Sequence, residues 1–119
     1  EKDKFDGESI VPLIWGKDYK RVRPMFFHFP LYLGGEGLPS YKGKENYWRA
    51  VPLTVVMKDK WKLIKYYEYD KVELYNLDED ISETKDLSAI NIKKKTELLN
   101  QLNEWVKKTN APIPSVFNH

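Results

Sequence analysis

The feature that most constrains the fold is a stretch of alternating side chains at residues 61–76, WKLIKYYEYDKVELYN. In its first half, Trp61 and Leu63 fall on one side and Ile64 on the other, which is the two-residue period of a β-strand. A polar joint at residues 68–71 separates this segment from a second alternating segment. We therefore predict a β-hairpin against which the rest of the chain packs.

Both faces of this hairpin carry apolar or aromatic groups. An antiparallel sheet with one face in water should show polar residues on that face, so we expect both faces to be covered. One cover is predicted within the chain, because Leu98, Leu102 and Trp105 recur at helical spacing and form an apolar stripe. No other segment offers a second layer, and we expect the second cover to lie outside this chain.

The remaining elements follow from local signals. Asn91 is a suitable N-cap for a helix over residues 92–109, and Asn110 can take the left-handed position that ends it. Asp59 tolerates the positive φ of a tight turn. We predict an α+β fold with a four-stranded, mostly antiparallel sheet and the C-terminal helix packed on one face; its strands are residues 25–29, 53–58, 61–67 and 72–76.

Three segments of the chain resemble motifs of the arylsulfatase family. The longest is DKWKLIKYYEYDKVELYNLDEDISETKDLS, which resembles the C-terminal segment of these enzymes. Near the start, FDGESIVPLIWG resembles the end of their catalytic domain, and RPMFFHFPLYL resembles their R-P-L-F-W-H-F-P-H-Y. The three segments occur in the family's order between residues 5 and 88 of the 119-residue chain. The resemblance implies the C-terminal subdomain of a formylglycine-dependent sulfatase, whose parent enzyme is alkaline-phosphatase-like.

The resemblance also implies a division of the chain. Residues 1–16 would be the end of a missing N-terminal catalytic domain, and residues 17–119 would be the C-terminal subdomain that completes the enzyme and lines part of its substrate cleft. The implied substrate is a sulfated carbohydrate or an aryl sulfate, and the implied parent is periplasmic or secreted. An apolar surface made of one sheet face and residues 10–15 would dock on the catalytic domain, or self-associate in its absence.

No catalytic or metal-binding residue is expected in the chain itself. Sulfatases of this class make formylglycine from Cys or Ser in C/S-x-P-x-R and place it beside a calcium-type cation; the sequence has neither that motif nor any cysteine. Calcium and formylglycine are therefore expected in the parent enzyme, and no activity is expected of the chain alone. The acidic cluster of residues 78–86 lacks the spacing and central Gly of an EF-hand, and we interpret it as a solvated bend.

Residues 30–52 form the candidate substrate contact. They show no period and exceed the usual length of a connection, which is about 4–6 residues. An anion with a stackable body requires cationic donors beside aromatic faces, and the region supplies both. The predicted substrate-binding residues are His28, Tyr32, Lys42, Trp48 and Arg49.

Alternatives remain for these residues. His28 is equally consistent with a hydrogen-bonded packing residue, and the loop with a surface connection whose charges are only solvated. As substrate contacts, His28→Ala and Arg49→Ala should reduce kcat/KM of the intact enzyme with little change in stability.

Composition narrows the function classes. Twenty basic and eighteen acidic residues give a net charge of +2, and the RNP pattern of RNA-binding sheets is missing, so nucleic acid is not an expected partner. No apolar run approaches the roughly 20 residues of a membrane span. The alternative to the sulfatase subdomain is an autonomous carbohydrate-binding or protein-interaction module that uses exposed aromatic side chains.

Overall fold

A computed structural model describes residues 7–34 and 48–114, with Trp48 and Arg49 described by their backbone alone. Six strands and two helices occur in this part of the chain. In chain order they are α1 (Val11–Ile14), β1 (Met25–Phe29), β2 (Leu33–Gly34), β3 (Trp48–Ala50), β4 (Leu53–Lys58), β5 (Trp61–Tyr66), β6 (Lys71–Asn76) and α2 (Ile92–Thr109).

The main sheet has the order β1-β4-β5-β6, and each neighbouring pair is antiparallel. This confirms the predicted α+β fold, and α2 has the predicted bounds. Strand β5 ends at Tyr66, one residue earlier than predicted, and β6 begins at Lys71, one residue earlier. The joint between them is a tight turn that places Asp70 at a φ of +46°, a conformation that Asp adopts more readily than most residues.

The register of the strands and the period of α2 together determine which side chains form the core. Val56, Leu63 and Leu74 stand side by side across β4, β5 and β6, on the face that α2 covers. Leu98 and Leu102 of α2 meet them, and all five side chains are fully buried. At the edge of this layer the ring of Phe26 is stacked on that of Trp105, with centroids 4.9 Å apart.

Both ends of α2 close as the sequence predicted. The side chain of Asn91 accepts a hydrogen bond of 3.1 Å from the backbone N–H of Lys94. At the other end Asn110 has a φ of +50°, and its backbone N–H donates to the carbonyl of Lys107. These contacts satisfy backbone groups that a helix leaves without partners at its ends.

A second, two-stranded sheet lies within residues 30–52, which sequence analysis interpreted as one long loop without a period. Strands β2 and β3 are antiparallel, with Leu33 opposite Ala50 and Gly34 opposite Trp48 across an irregular register. No alternation of side chains predicted these two strands, because strands of two or three residues are too short to show a period. Residues 35–47 lie outside the described part of the chain.

The acidic bend after β6 also differs from its prediction, because two of its carboxylates bind backbone groups. Asp86 accepts hydrogen bonds from the backbone N–H groups of Leu74, at 3.0 Å, and Ser88, at 2.8 Å. Burial opposes the charge on Asp86, but these bonds outweigh it and lower its pKa. Asp80 similarly accepts from the N–H groups of Thr84 and Lys85. The bend is thus bonded to the outer edge of β6 rather than only solvated.

Candidate functional site

The predicted substrate-binding residues occupy three places. His28 lies in β1, Tyr32 is half-buried just before β2, and Trp48 and Arg49 belong to β3. Pairing of β2 with β3 brings the backbone of residues 48–50 beside residues 33–34. The backbone of Trp48 and Arg49 therefore lies beside the residues that directly follow Tyr32. Lys42 lies outside the described residues. Their role in substrate binding stays a prediction.

His28 is at the centre of a hydrogen-bond chain that joins two strands to the C-terminal tail. Its Nδ1 lies 2.7 Å from the hydroxyl oxygen of Thr54, which faces it across the β1–β4 pair. The same hydroxyl lies 2.7 Å from the phenol oxygen of Tyr67. On the other side of the ring, Nε2 lies 2.9 Å from the carbonyl oxygen of Pro112.

Chemistry fixes the direction of this chain when the imidazole is neutral. A carbonyl oxygen only accepts, so His28 donates from Nε2 to Pro112 and its Nδ1 is an acceptor. Thr54 then donates its hydroxyl proton to Nδ1, and its oxygen accepts from the hydroxyl of Tyr67. In this series of hydrogen bonds, from Tyr67 through Thr54 and His28 to Pro112, each donor faces an acceptor. We call these four residues the His28 network.

Aromatic rings surround the same imidazole. The rings of Tyr67 and Trp105 meet it edge-on, with centroids at 6.2 and 6.3 Å. In this chain His28 therefore has the surroundings of the packing residue that sequence analysis left as one of its two interpretations. Antiparallel pairing of residues 25–29 with 53–58 would have revealed Thr54 as a partner, whereas no local signal reveals Pro112.

Sequence reasoning missed a second polar cluster, on the sheet face opposite α2. One oxygen of the Glu73 carboxylate accepts from the hydroxyls of Tyr66 and Tyr75, each at 3.0 Å, and the other oxygen binds the ammonium of Lys71. Burial, together with the negative charge of Glu73, raises the pKa of both phenols well above the ordinary value. The sequence signal was the alternation itself, since Glu73 and Tyr75 share one face of β6 and Tyr66 stands opposite Lys71.

Glu8 joins the start of the segment before β1 to its end through hydrogen bonds. Its carboxylate accepts from the hydroxyl of Tyr19 at 2.6 Å and from the backbone N–H groups of Val22 and Arg23 at 3.2 and 2.6 Å. The hydrogen bond from Tyr19 comes first among the causes that lower the pKa of Glu8. The guanidinium of Arg23 also donates to the carbonyl of Gly7 at 3.1 Å. Residues 7–23 are thus held as a loop.

This loop presents an apolar helix turn to solvent. Helix α1 spans Val11–Ile14 and has no buried residue, and Gly16 ends it with a φ of +67°. Ile14 is 71% exposed and Trp15 is 70% exposed. On the main sheet, Phe27 projects from the face opposite α2 and is 53% exposed. We call Ile10, Leu13, Ile14 and Trp15 the α1 surface.

Within the described ranges, no three side chains of the His, Cys, Asp and Glu types come together in a group that could hold a metal ion. Both carboxylate oxygens of Asp80 and one oxygen of Asp86 accept hydrogen bonds from backbone N–H groups. Within residues 7–34 and 48–114, neither helix is suited by length and hydropathy to cross a membrane.

The chain is similar in sequence and in fold to parts of known proteins. No family model matches it. It is 30% identical over 122 aligned positions to a protein named sulfatase from Formosa agariphila, and the match covers 92% of this chain but 20% of that protein. The crystal structure of a candidate sulfatase from Bacteroides thetaiotaomicron has the same fold, with a TM-score of 0.61 at 18% identity, covering 91% of this chain and 21% of the other.

These matches span nearly all of this chain and about a fifth of each relative's length. They agree with the fold described above and with the three sequence motifs. Sequence and fold together thus identify the chain as homologous to one part of a sulfatase.

Proposed function

We propose that this chain is the C-terminal subdomain of a sulfuric ester hydrolase, in which it completes the fold and lines part of the substrate cleft. The observation that carries the proposal is the match over 92% of this chain to only 20% of a sulfatase. A partner domain of the same protein, N-terminal to the subdomain, would supply the chemistry. Residues 1–16 would then be the end of that catalytic domain.

The α1 surface supports a missing partner. Its four large apolar side chains are each more than half exposed, and exposed apolar surface costs free energy in water, at about 25 cal/mol for each Å². Contiguous exposed apolar patches of this kind are typical of protein–protein contacts. In the whole protein we expect the catalytic domain to cover the α1 surface; in the isolated chain, a second copy would do so.

In this proposal, substrate is recognised by β1 and the region between β1 and β4. The candidates are His28, Tyr32, Lys42, Trp48 and Arg49, which would contact a sulfated carbohydrate or an aryl sulfate. Formylglycine and calcium would belong to the catalytic domain, where formylglycine supplies the nucleophile and calcium neutralises the sulfate. This chain's own contribution would be to bind and orient the substrate.

The test compares two forms of the proposed longer protein, one with residues 17–119 and one without them, in an assay with 4-nitrophenyl sulfate. We expect turnover only when the subdomain is present, and none from the 119-residue chain alone. Full activity without the subdomain would contradict the proposal. A chain that stays monomeric at high concentration and binds unsulfated saccharides would favour an autonomous carbohydrate-binding module.

A further inference from the structure

A groove of about 450 Å³ runs between residues 19–23 and the turn that joins β4 to β5. Its walls carry four cationic side chains, Lys20, Arg21, Arg23 and Lys60. Two carboxylates, Asp59 and Asp78, also line it. The lining is therefore more positive than negative, although the chain as a whole is nearly neutral. We call this feature the basic groove.

The four cationic side chains differ in the ion pairs and hydrogen bonds that they make. Arg23 is held by Glu8 and by the carbonyl of Gly7. Lys20 lies 3.3 Å from Asp59, but its side chain is 80% exposed, and exposed pairs of this kind are weak. Arg21 and Lys60 make no salt bridge with any carboxylate of the described residues.

Arg21 still has donors for a ligand. Its Nε donates to the backbone carbonyl of Arg23 at 3.1 Å, which orients the guanidinium and leaves its terminal N–H groups available. A planar guanidinium with two such donors suits an oxyanion with several acceptor oxygens, such as a sulfate. Lys60 would add a second positive charge from the opposite wall.

Part of the groove lining is apolar. Met25 and Met57 stand opposite each other across β1 and β4, on the sheet face opposite α2. Half-buried Trp61 lines the groove where β5 begins, from the face that α2 covers. The ammonium of Lys60 lies 5.8 Å from the centroid of the Trp61 ring. Charge and aromatic face thus lie side by side, an arrangement that suits a ligand with an anionic group on a ring with an apolar face.

We propose that the basic groove binds a sulfated saccharide, with its sulfate between Arg21 and Lys60 and its sugar ring against Trp61. The choice of sulfate over other oxyanions rests on the proposed function, whereas the site itself rests on the groove. None of the residues between β1 and β4 that were predicted to contact substrate is required for this site.

The experiment is a ¹H–¹⁵N NMR titration of the 119-residue chain with glucose 6-sulfate, and in parallel with glucose, inorganic sulfate and glucose 6-phosphate. We expect saturable shifts of the Trp61 indole N–H and of the backbone amides of residues 20–23 and 59–61 with glucose 6-sulfate. Glucose should produce none, and inorganic sulfate should bind more weakly because it cannot stack. Equal binding of inorganic sulfate would overturn the saccharide part of the proposal, and tighter binding of glucose 6-phosphate would overturn the choice of sulfate.

Charge-neutral variants test the residues. Lys60→Gln combined with Arg21→Gln should weaken binding by at least about tenfold, since charge-assisted hydrogen bonds are the stronger class. Lys60→Gln alone covers the case in which the double variant does not fold, and Lys93→Gln, at an exposed lysine of α2, is the matched control with unchanged affinity. Unaltered binding in the Lys60 variant would overturn the site.

Failure here can be told apart from failure of the proposed function. Turnover of 4-nitrophenyl sulfate by the longer protein, without shifts at the groove, would overturn the groove alone. Shifts at the groove without turnover by the longer protein would overturn the sulfatase function while leaving the binding site.

Discussion

Exchange of His28 for alanine removes the centre of the His28 network. Two hydrogen bonds are lost, to Thr54 at 2.7 Å and to Pro112 at 2.9 Å. Each is worth about 0.5–1.5 kcal/mol net, and the edge-on contacts with Tyr67 and Trp105 add up to about 1 kcal/mol. Because the ring is only partly buried, we expect the lower half of this range, a loss of about 2 kcal/mol in the free energy of unfolding.

Thermal and urea unfolding of the 119-residue chain measure this loss. At this size, about 2 kcal/mol corresponds to a fall in Tm of roughly 6–10 °C. Phe27→Ala is the matched control, because Phe27 is an aromatic residue of the same strand that is 53% exposed on the other face. It should change the free energy of unfolding by less than about 0.5 kcal/mol.

A double-mutant cycle tests whether the network acts as a unit. Thr54→Val keeps the shape of the side chain but removes the hydroxyl between His28 and Tyr67. Its cost should not add to that of His28→Ala, because the first change has already broken the shared bond. Additive costs, or a His28→Ala variant as stable as the parent chain, would refute the network as a source of stability. This outcome would restore the sequence-based expectation that His28→Ala leaves the fold unchanged.

Three further predictions concern the core, alkaline pH and the substrate. Leu102→Ala should cost about 2–5 kcal/mol, because the side chain is fully buried beneath the sheet; a change in the urea midpoint equivalent to less than 0.5 kcal/mol, as expected for the exposed neighbour Asn103→Ala, would contradict the packing. Burial and Glu73 raise the pKa of Tyr66 and Tyr75 in the folded chain, so the unfolded chain ionises first; stability is full below about pH 10 and falls above it. Urea midpoints from pH 8 to 11 should show a smaller fall in Tyr66→Phe with Tyr75→Phe, and an identical fall would refute the coupling. In the proposed sulfatase, Arg49→Ala should lower kcat/KM for a sulfate ester without a change in Tm, and unchanged kinetics would return Arg49 to a structural or solvated role.

Local patterns in the sequence determined most of the secondary structure. Alternation placed β1, β4, β5 and β6 to within one residue, and the spacing of Leu98, Leu102 and Trp105 placed α2 and its buried face. These predictions succeed because the period of a strand or helix is set by the backbone and leaves its mark within a few residues. Caps follow the same rule, since Asn91 bonds an N–H only three residues away.

Tertiary structure alone decided which polar groups meet. His28 and Pro112 are 84 positions apart, and no short-range pattern joins them. Likewise, the acidic run after β6 looks solvated in the sequence, but the hydrogen bond from the N–H of Leu74 to Asp86 attaches it to the edge of β6. Arg21 and Lys60 face one groove only because β1 pairs with β4 in a particular register. Such contacts depend on where whole elements pack, which the hydrophobic core sets, whereas the sequence by itself determined only the elements that pack.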